Sequence, residues 1–535
     1  MKKKQIIQRD YTKFMVPRQT NLFFDFDILI KQNEPVRLLN AILEELDYQE
    51  LEHLYSSKGR KSKVPPHILF KIFIFAMSEG IFSTRKISRQ CEVNIQYKWL
   101  LQGYSTPSHM TFQRFFARCT PEVLNHLFVQ LIEVLERIDS ITFEEVFIDG
   151  TKIEAYANRY SFVWKKNIVR GLKKLPDKLT ALQEAIWEDV NIDTFNLNEA
   201  GLVKRLAFEI YTNQIIFVHG KGHRKTKLQR YYEQAVALLD KRQEYEKAMA
   251  ILGDRNSYSK TDTTATFMRL KEDHMLNGQL KPAYNIQLAV HSEYILGVGV
   301  YPNPTDTKTL IPFLQQLEGM YKQPFKYIVA DAGYDSNENF DWLESHQYYS
   351  CIKPRTHKQE KKRAWKQDIS QARNMDYNTN TDTYTCAKGR TLRFICERKA
   401  KSHSGYGYVT RVYECENCNR CGLRSQCQKS RTGKKPKRNK QIHISPAYEA
   451  SQIRNRERLE SNFGKILRKN RSIQVEGVFG VLKEDINFRR LKHRGSESVH
   501  KFLILLATGF NLRKLHNRIQ NGRLGKSLFL ADIVA

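Results

Sequence analysis

Long apolar runs are missing from this 535-residue chain. The best, Phe502 to Phe510, is half the roughly 18 residues that a membrane-spanning helix requires. The opening MKKKQIIQRDYTKF is basic but has no apolar stretch of the kind that drives secretion, so the expectation is a soluble, cytoplasmic protein. Glycine and proline are scarce, at 26 and 15 residues, which excludes a collagen-like or low-complexity chain. Acids are also short: 57 Asp and Glu stand against 88 Lys and Arg, a formal charge of +31. Such a surplus is far more than solubility needs. Neutralising phosphates is its usual use, and no amphipathic basic helix points to a membrane instead. Nucleic acid is therefore the expected partner, ahead of an anionic membrane.

The nine cysteines do not form a disulfide framework, because six of them lie between Cys386 and Cys427. Cys415, Cys418, Cys421 and Cys427 follow at spacings of two, two and five, with Cys386 upstream. Soft thiolates at short spacing suit structural zinc, with four of these five as ligands; an iron–sulfur cluster is the alternative. Cys91, Cys119 and Cys351 read as core residues.

Residues 1–140 read as a helical N-terminal domain whose Arg85, Lys86, Arg89, Lys98, Arg114 and Arg118 suit DNA binding, the alternative being an ordinary helical bundle with a charged face. PPHILFKIFIFAM (65–77) opens with helix-starting prolines, and Ser83 and Ser108 are placed to cap TRKISRQC and HMTFQRFFARC. Strand-like runs then appear at EEVFIDG (144–150), AYNIQLAVH (283–291), YILGVGVYP (294–302), KYIVADAGY (326–334) and YYSCIKPR (348–355). Helices lie between them, so the core is α/β. A helical insertion occupies about 155–283 of a core whose first part spans 141–355. Residues 356–450 form a Cys-rich basic insertion, 451–520 return to core helices, and 521–535 are a tail. KSRTGKKPKRNK (429–440), with seven cations and no acid, reads as a solvated loop or one ordered by a phosphate backbone. HGKGHRKTK (219–227) lacks the order of a phosphate-binding loop, so no ATP is expected.

Three acids stand out by position. Asp149 and Asp331 each end a strand-like run, and Glu476 lies in a helical segment that Asn470 or Ser472 is placed to cap. At 100° per residue Lys483 falls within about 20° of Glu476, so Glu476, Phe479, Gly480 and Lys483 share a face. Asp306 reads as a helix cap, and Asp335 competes with Asp331. Two hard divalent cations held by carboxylates about 3.5–4 Å apart are the common apparatus for in-line attack on a phosphodiester.

IDGTKIEAYAN, ADAGYDSNE, Arg471-x4-Glu476-x6-Lys483 and the following FRRLKHRG resemble the bacterial insertion-sequence transposases with a DDE, RNase-H-like catalytic domain, most closely the group numbered eleven-eighty-two. SKTDTTATFM (259–268) and the AYNIQ strand are similar too, and the resemblance runs from about residue 20 to 515. It implies that Asp149, Asp331 and Glu476 bind Mg²⁺ or Mn²⁺, two ions at the site, and that Arg471 and Lys483 flank the Glu on DNA. Arg489, Arg490, Lys492 and Arg494 are expected to meet DNA beside them. It further implies cleavage at terminal inverted repeats, attack by the freed 3′-OH on target DNA, and a homo-oligomer pairing two ends. The alternatives are a non-catalytic DNA-binding protein on the same fold, or a nuclease without strand transfer.

Overall fold

The computed structural model describes residues 25–55, 62–139, 141–220, 224–270, 278–321, 325–402, 404–429 and 438–526. The loop at 430–437 and residues 221–223 of HGKGHRKTK lie outside them. None of the described helices is long and apolar enough to cross a membrane.

The first helices are α1 (Phe26–Leu29), α2 (Pro35–Glu44), α3 (Gln49–His53) and α4 (Pro66–Ser78). They are followed by α5 (Thr84–Val93), α6 (Ile95–Leu100), α7 (His109–Arg118) and α8 (Pro121–Asp139). Pro66 sits in the first turn of α4, where its missing N–H costs nothing. Every residue of α4 from Ile68 to Ser78 is buried, which marks a helix enclosed on all sides. Ser83 begins α5 without a side-chain bond, whereas Ser108 Oγ accepts from the Thr111 N–H at 3.3 Å.

The chain next forms β1 (Glu145–Glu154) and β2 (Phe162–Trp164), then helices α9 (Lys165–Val190), α10 (Glu199–Thr212) and α11 (Lys227–Leu252). These three helices carry their own apolar contacts, including Leu182, Ile186, Leu202, Leu206 and Ile210, apart from the main core. β3 (Ser257–Ser259) pairs with β2, and β4 (Thr266–Arg269) leads back to the sheet. There β5 (Leu280–His291) lies antiparallel to β1, β4 and β6 (Tyr294–Tyr301).

Helix α12 (Leu310–Met320) connects to β7 (Tyr327–Ala330), and α13 (Asn337–Ser345) to β8 (Tyr349–Ile352). β7 is parallel to β1, and β8 is parallel to β7. The resulting order is β6-β5-β1-β7-β8, with β4 also on β5.

After β8 come the short helices α14 (His357–Glu360) and α15 (Arg363–Lys366). A second sheet follows, of β9 (Asp376–Asn378), β10 (Thr383–Thr385), β11 (Thr391–Lys401), β12 (Gly407–Cys415) and β13 (Gln441–Ile444). Its strands are antiparallel throughout, and α16 (Arg424–Cys427) lies between the last two. Its small core contains Tyr384, Leu392, Tyr413 and Ile442. Helices α17 (Pro446–Glu460), α18 (Asn462–Gly480) and α19 (Ser496–Gln520) close the chain.

One apolar core joins the N-terminal helices to the mixed sheet through α19, whose residues Phe502 to Leu512 are buried. The two helices meet at Gly509. A Cβ there would stand 2.8 Å from the Ser78 nitrogen and 2.9 Å from the Ile74 oxygen of α4.

Several local expectations change. β1 does not stop at Gly150; Thr151 and Ile153 continue its buried face against β5, so Asp149 is inside the strand rather than at its end. α18 starts eight residues before Asn470, because Ser461 Oγ accepts from the Gly464 N–H at 3.0 Å. Beyond Gly480 the chain passes into a π-helical turn, Val481–Asp485. A wider turn rotates less per residue, so Lys483 does not keep the face that an unbroken α-helix predicts.

Candidate active site

The parallel register of β1 and β7 pairs Ile148 with Ala330. The next residue on each strand is an aspartate, so Asp149 and Asp331 stand side by side where β7 ends. Asp331 Oδ1 accepts from the Gly333 N–H at 2.6 Å, which turns the chain out of the strand. Asp149 Oδ1 accepts from the Gly150 N–H at 2.8 Å, and Asp149 Oδ2 accepts from Arg471 Nη2 at 2.7 Å. Both partners of that ion pair are largely buried.

A further carboxylate, Asp306, which the sequence presents as a helix cap, comes close to Asp331. Helix α12 begins only at Leu310, and the Asp306 side chain is not its cap. Asp306 Oδ1 accepts instead from Asn285 Nδ2 at 2.7 Å and Gln287 Nε2 at 3.2 Å, both on the buried β5. A Cβ on Gly333 would lie 2.9 Å from Asp331 Oδ1 and 3.0 Å from Asp306 Oδ2. A Cβ on Gly150 would lie 2.3 Å from Gln287 Nε2 and 2.8 Å from Asp306 Oδ1. The two glycines therefore leave the only room in which these carboxylates and amides fit.

Beneath them Tyr334 is fully buried and donates to Gln287 Oε1. Burial, and then the carboxylates of Asp306, Asp149 and Asp331, hold its hydroxyl far above its ordinary pKa, so it remains a donor. The signal for this arrangement was present in AYNIQ: two amides at alternate positions of an otherwise apolar strand share one face. Asp335 is resolved as structural, since its carboxylate accepts from the Tyr448 hydroxyl at 2.7 Å and the Arg355 N–H at 2.9 Å.

Glu476 is exposed on α18. Arg471 points at Asp149, and Glu476, five residues on, lies about 140° further around the helix. Lys483 is half-buried in the π-helical turn. Arg489 pairs with Glu484, Lys492 is exposed, and Arg490 and Arg494 gather at the far end of β1 around Glu154 and Tyr156. Lys353, His357, Lys465, Arg468 and Arg471 line a cavity of about 220 Å³ against Ala330 of β7. Burial, then Lys361, Lys353 and Arg468, lower the His357 pKa.

All five predicted thiols, Cys386, Cys415, Cys418, Cys421 and Cys427, line one cavity in the second sheet. The Lys440 N–H donates to Cys418 Sγ at 3.3 Å. Burial raises the pKa of Cys415 and Cys427, with neighbouring cysteines adding to both. Cys91, Cys119 and Cys351 are buried, as expected.

Among the described residues, no three His, Cys, Asp or Glu side chains are drawn together as a ready metal site. The donor chemistry nonetheless fits at each place. Asp306 and Asp331 present hard oxygens to a single glycine-cleared point, and the thiols face a common cavity.

Asp149 and Asp331 thus stand on adjoining strands of a mixed α/β fold, in a chain with a formal charge of +31. Residues 385–516 match the family described as Transposase DDE domain, and residues 24–118 match Transposase domain (DUF772). Together they support an insertion-sequence DDE transposase and bear out that resemblance; they do not reach the group numbered eleven-eighty-two. Transposase DDE domains typically use divalent metal ions. No curated protein and no solved structure matches the chain.

Proposed function

We propose that this protein cuts DNA at the ends of an insertion sequence and joins the freed 3′-OH to a target phosphodiester. The observation that carries the reading is the side-by-side placement of Asp149 and Asp331 on neighbouring parallel strands, with Asp306 beside them. The order β6-β5-β1-β7-β8, with β5 antiparallel to β1, β4 and β6 and with β1, β7 and β8 parallel, supports an RNase-H-like core interrupted by α9–α11 and by the second sheet. When bound, Mg²⁺ or Mn²⁺ on these carboxylates polarises the scissile phosphate and activates the attacking oxygen.

The chain's own residues do the positioning. Arg471 fixes the Asp149 carboxylate, while Asn285 and Gln287 fix Asp306. Lys353, Lys465 and Arg468 offer charge to a phosphate beside Ala330 of β7. Lys63, Arg114 and Arg118 line an open groove against α7, which supports end recognition by the N-terminal helices. The second sheet is a zinc-pinned module that presents its cations to DNA. A homo-oligomer then pairs two ends.

Strand cleavage and joining on a plasmid carrying the flanking element ends, with Mg²⁺, tests the reading. Asp149→Asn and Asp331→Asn are each expected to lose activity about hundredfold or more while DNA binding survives. Full cleavage by Asp149→Asn overturns the assignment, and tight end binding without cleavage by the intact protein favours a binding protein. The third acid is decided in the same assay. Glu476 reaches the pair only if α18 turns on its axis, whereas Asp306 already approaches Asp331 beside Gly333. Loss with Glu476→Gln shows that the helix turns; loss with Asp306→Asn alone assigns the third place to Asp306.

A further inference from the structure

Three exposed arginines and two exposed tyrosines surround the far end of β1, outside the acid site. Tyr160 is 77% exposed and Tyr156 46% exposed. The Arg494 and Arg490 guanidinium groups lie over the Tyr156 ring, 5.0 and 5.9 Å from its centroid. Arg494 Nε also donates to the Tyr156 carbonyl at 3.0 Å. Arg159 holds the Glu154 carboxylate with two bonds, of 3.0 and 3.1 Å, and Arg490 lies 3.5 Å from the same group. One carboxylate thus answers several cations, and the patch keeps a positive surplus.

The loop that carries the rings is tied down. The Asn158 N–H donates to Thr261 Oγ1 at 2.8 Å, the Tyr160 N–H to Asn158 Oδ1 at 2.9 Å, and Ser161 Oγ to the Asn158 carbonyl at 3.1 Å. Ala157, between the two tyrosines, is buried and anchors the loop from below. The Tyr160 ring, unlike that of Tyr156, covers little, so packing gives no reason to hold it on a pinned loop. Exposed rings beside arginines are what an unpaired nucleotide recognises: the base stacks on the ring and the phosphate meets the guanidinium.

We infer that Tyr156 and Tyr160, with Arg159, Arg490 and Arg494, form a stacking platform for unpaired bases of DNA. The inference rests on the DNA-processing reading and adds to it a preference for an opened strand.

The experiment is fluorescence anisotropy of the full chain with a labelled 30-nucleotide single strand and with the corresponding duplex. Tyr160→Ala and Tyr156→Ala are expected each to weaken single-strand binding about tenfold or more, with less than about twofold change on duplex. Tyr160→Phe, which keeps the ring, is expected to bind like the unaltered protein. Equal binding of the single strand by the alanine variants and the unaltered protein overturns the platform. So does an unaltered protein that binds duplex but no single strand, and in either case the DNA reading stands. An unaltered protein that binds neither probe brings down both.

Discussion

His493 shows how a single side chain ties this protein's stability to acidity. Its ring packs against Phe116, 4.4 Å between centroids, and Phe502, 5.0 Å. Burial, with Lys501 adding to it, lowers its pKa to about 4, and burial does the same to His291. The unfolded chain takes up a proton near pH 6.5 but the folded chain only near 4. Stability is therefore lost as pH falls from about 6.5 toward 4. Each histidine accounts for about 2 kcal/mol by pH 5. Urea midpoints at pH 7 and pH 5 check this: His493→Phe, which keeps the stacking and removes the titration, is expected to lose its share of the drop. An undiminished drop removes His493 from the account. The acids teach a different lesson at this scale. Asp149 and Asp331 were legible because each stands out at the end of an apolar run. Asp306 was read as a cap because its partners, Asn285 and Gln287, are about twenty residues away on another strand.

At the scale of elements, the contact of α4 with α19 is close because position 509 has no side chain. An alanine there would meet backbone atoms of Ser78 and Ile74, which cannot rotate away. Gly509→Ala is expected to destabilise the protein by about 1–3 kcal/mol in equilibrium denaturation, the usual range for overpacking. Ala substituted at Gly319, where a Cβ meets nothing within 4 Å, serves as the neutral comparison. The second sheet is too small to rely on its apolar core, which makes the thiol cavity its natural staple. Purified protein is expected to carry about one zinc per chain by elemental analysis, and Cys415→Ser and Cys418→Ser to lose it. Iron with a visible absorption band decides for a cluster instead, and no metal at all removes both readings.

Taken whole, the molecule carries a charge of +31, which sets how it meets DNA before any single contact does. If six or more phosphates are neutralised on binding, affinity falls about a thousandfold or more between 50 and 200 mM salt. A shallow dependence in a salt titration would confine the contacts to a few residues and leave most of the charge uninvolved. The N-terminal helices share one apolar core with α19 and the mixed sheet. By contrast, α9–α11 keep apolar contacts of their own.

The sequence by itself determined the local and the compositional: an apolar run opened by prolines placed α4, strand-like runs placed β5 to β8, charge pointed to phosphate, and spacing grouped the cysteines. These depend on near neighbours, whose effects are written in adjacent residues. Tertiary structure alone decided what distant segments do to one another. The pairing of β1 with β5 carried the strand past Gly150, and β1 beside β7 aligned Asp149 with Asp331. Packing of α18 on the sheet turned Arg471 rather than Glu476 toward Asp149. A carboxylate's partner across more than three hundred residues is chosen by strand register and helix rotation, and neither is a property of the residues nearby.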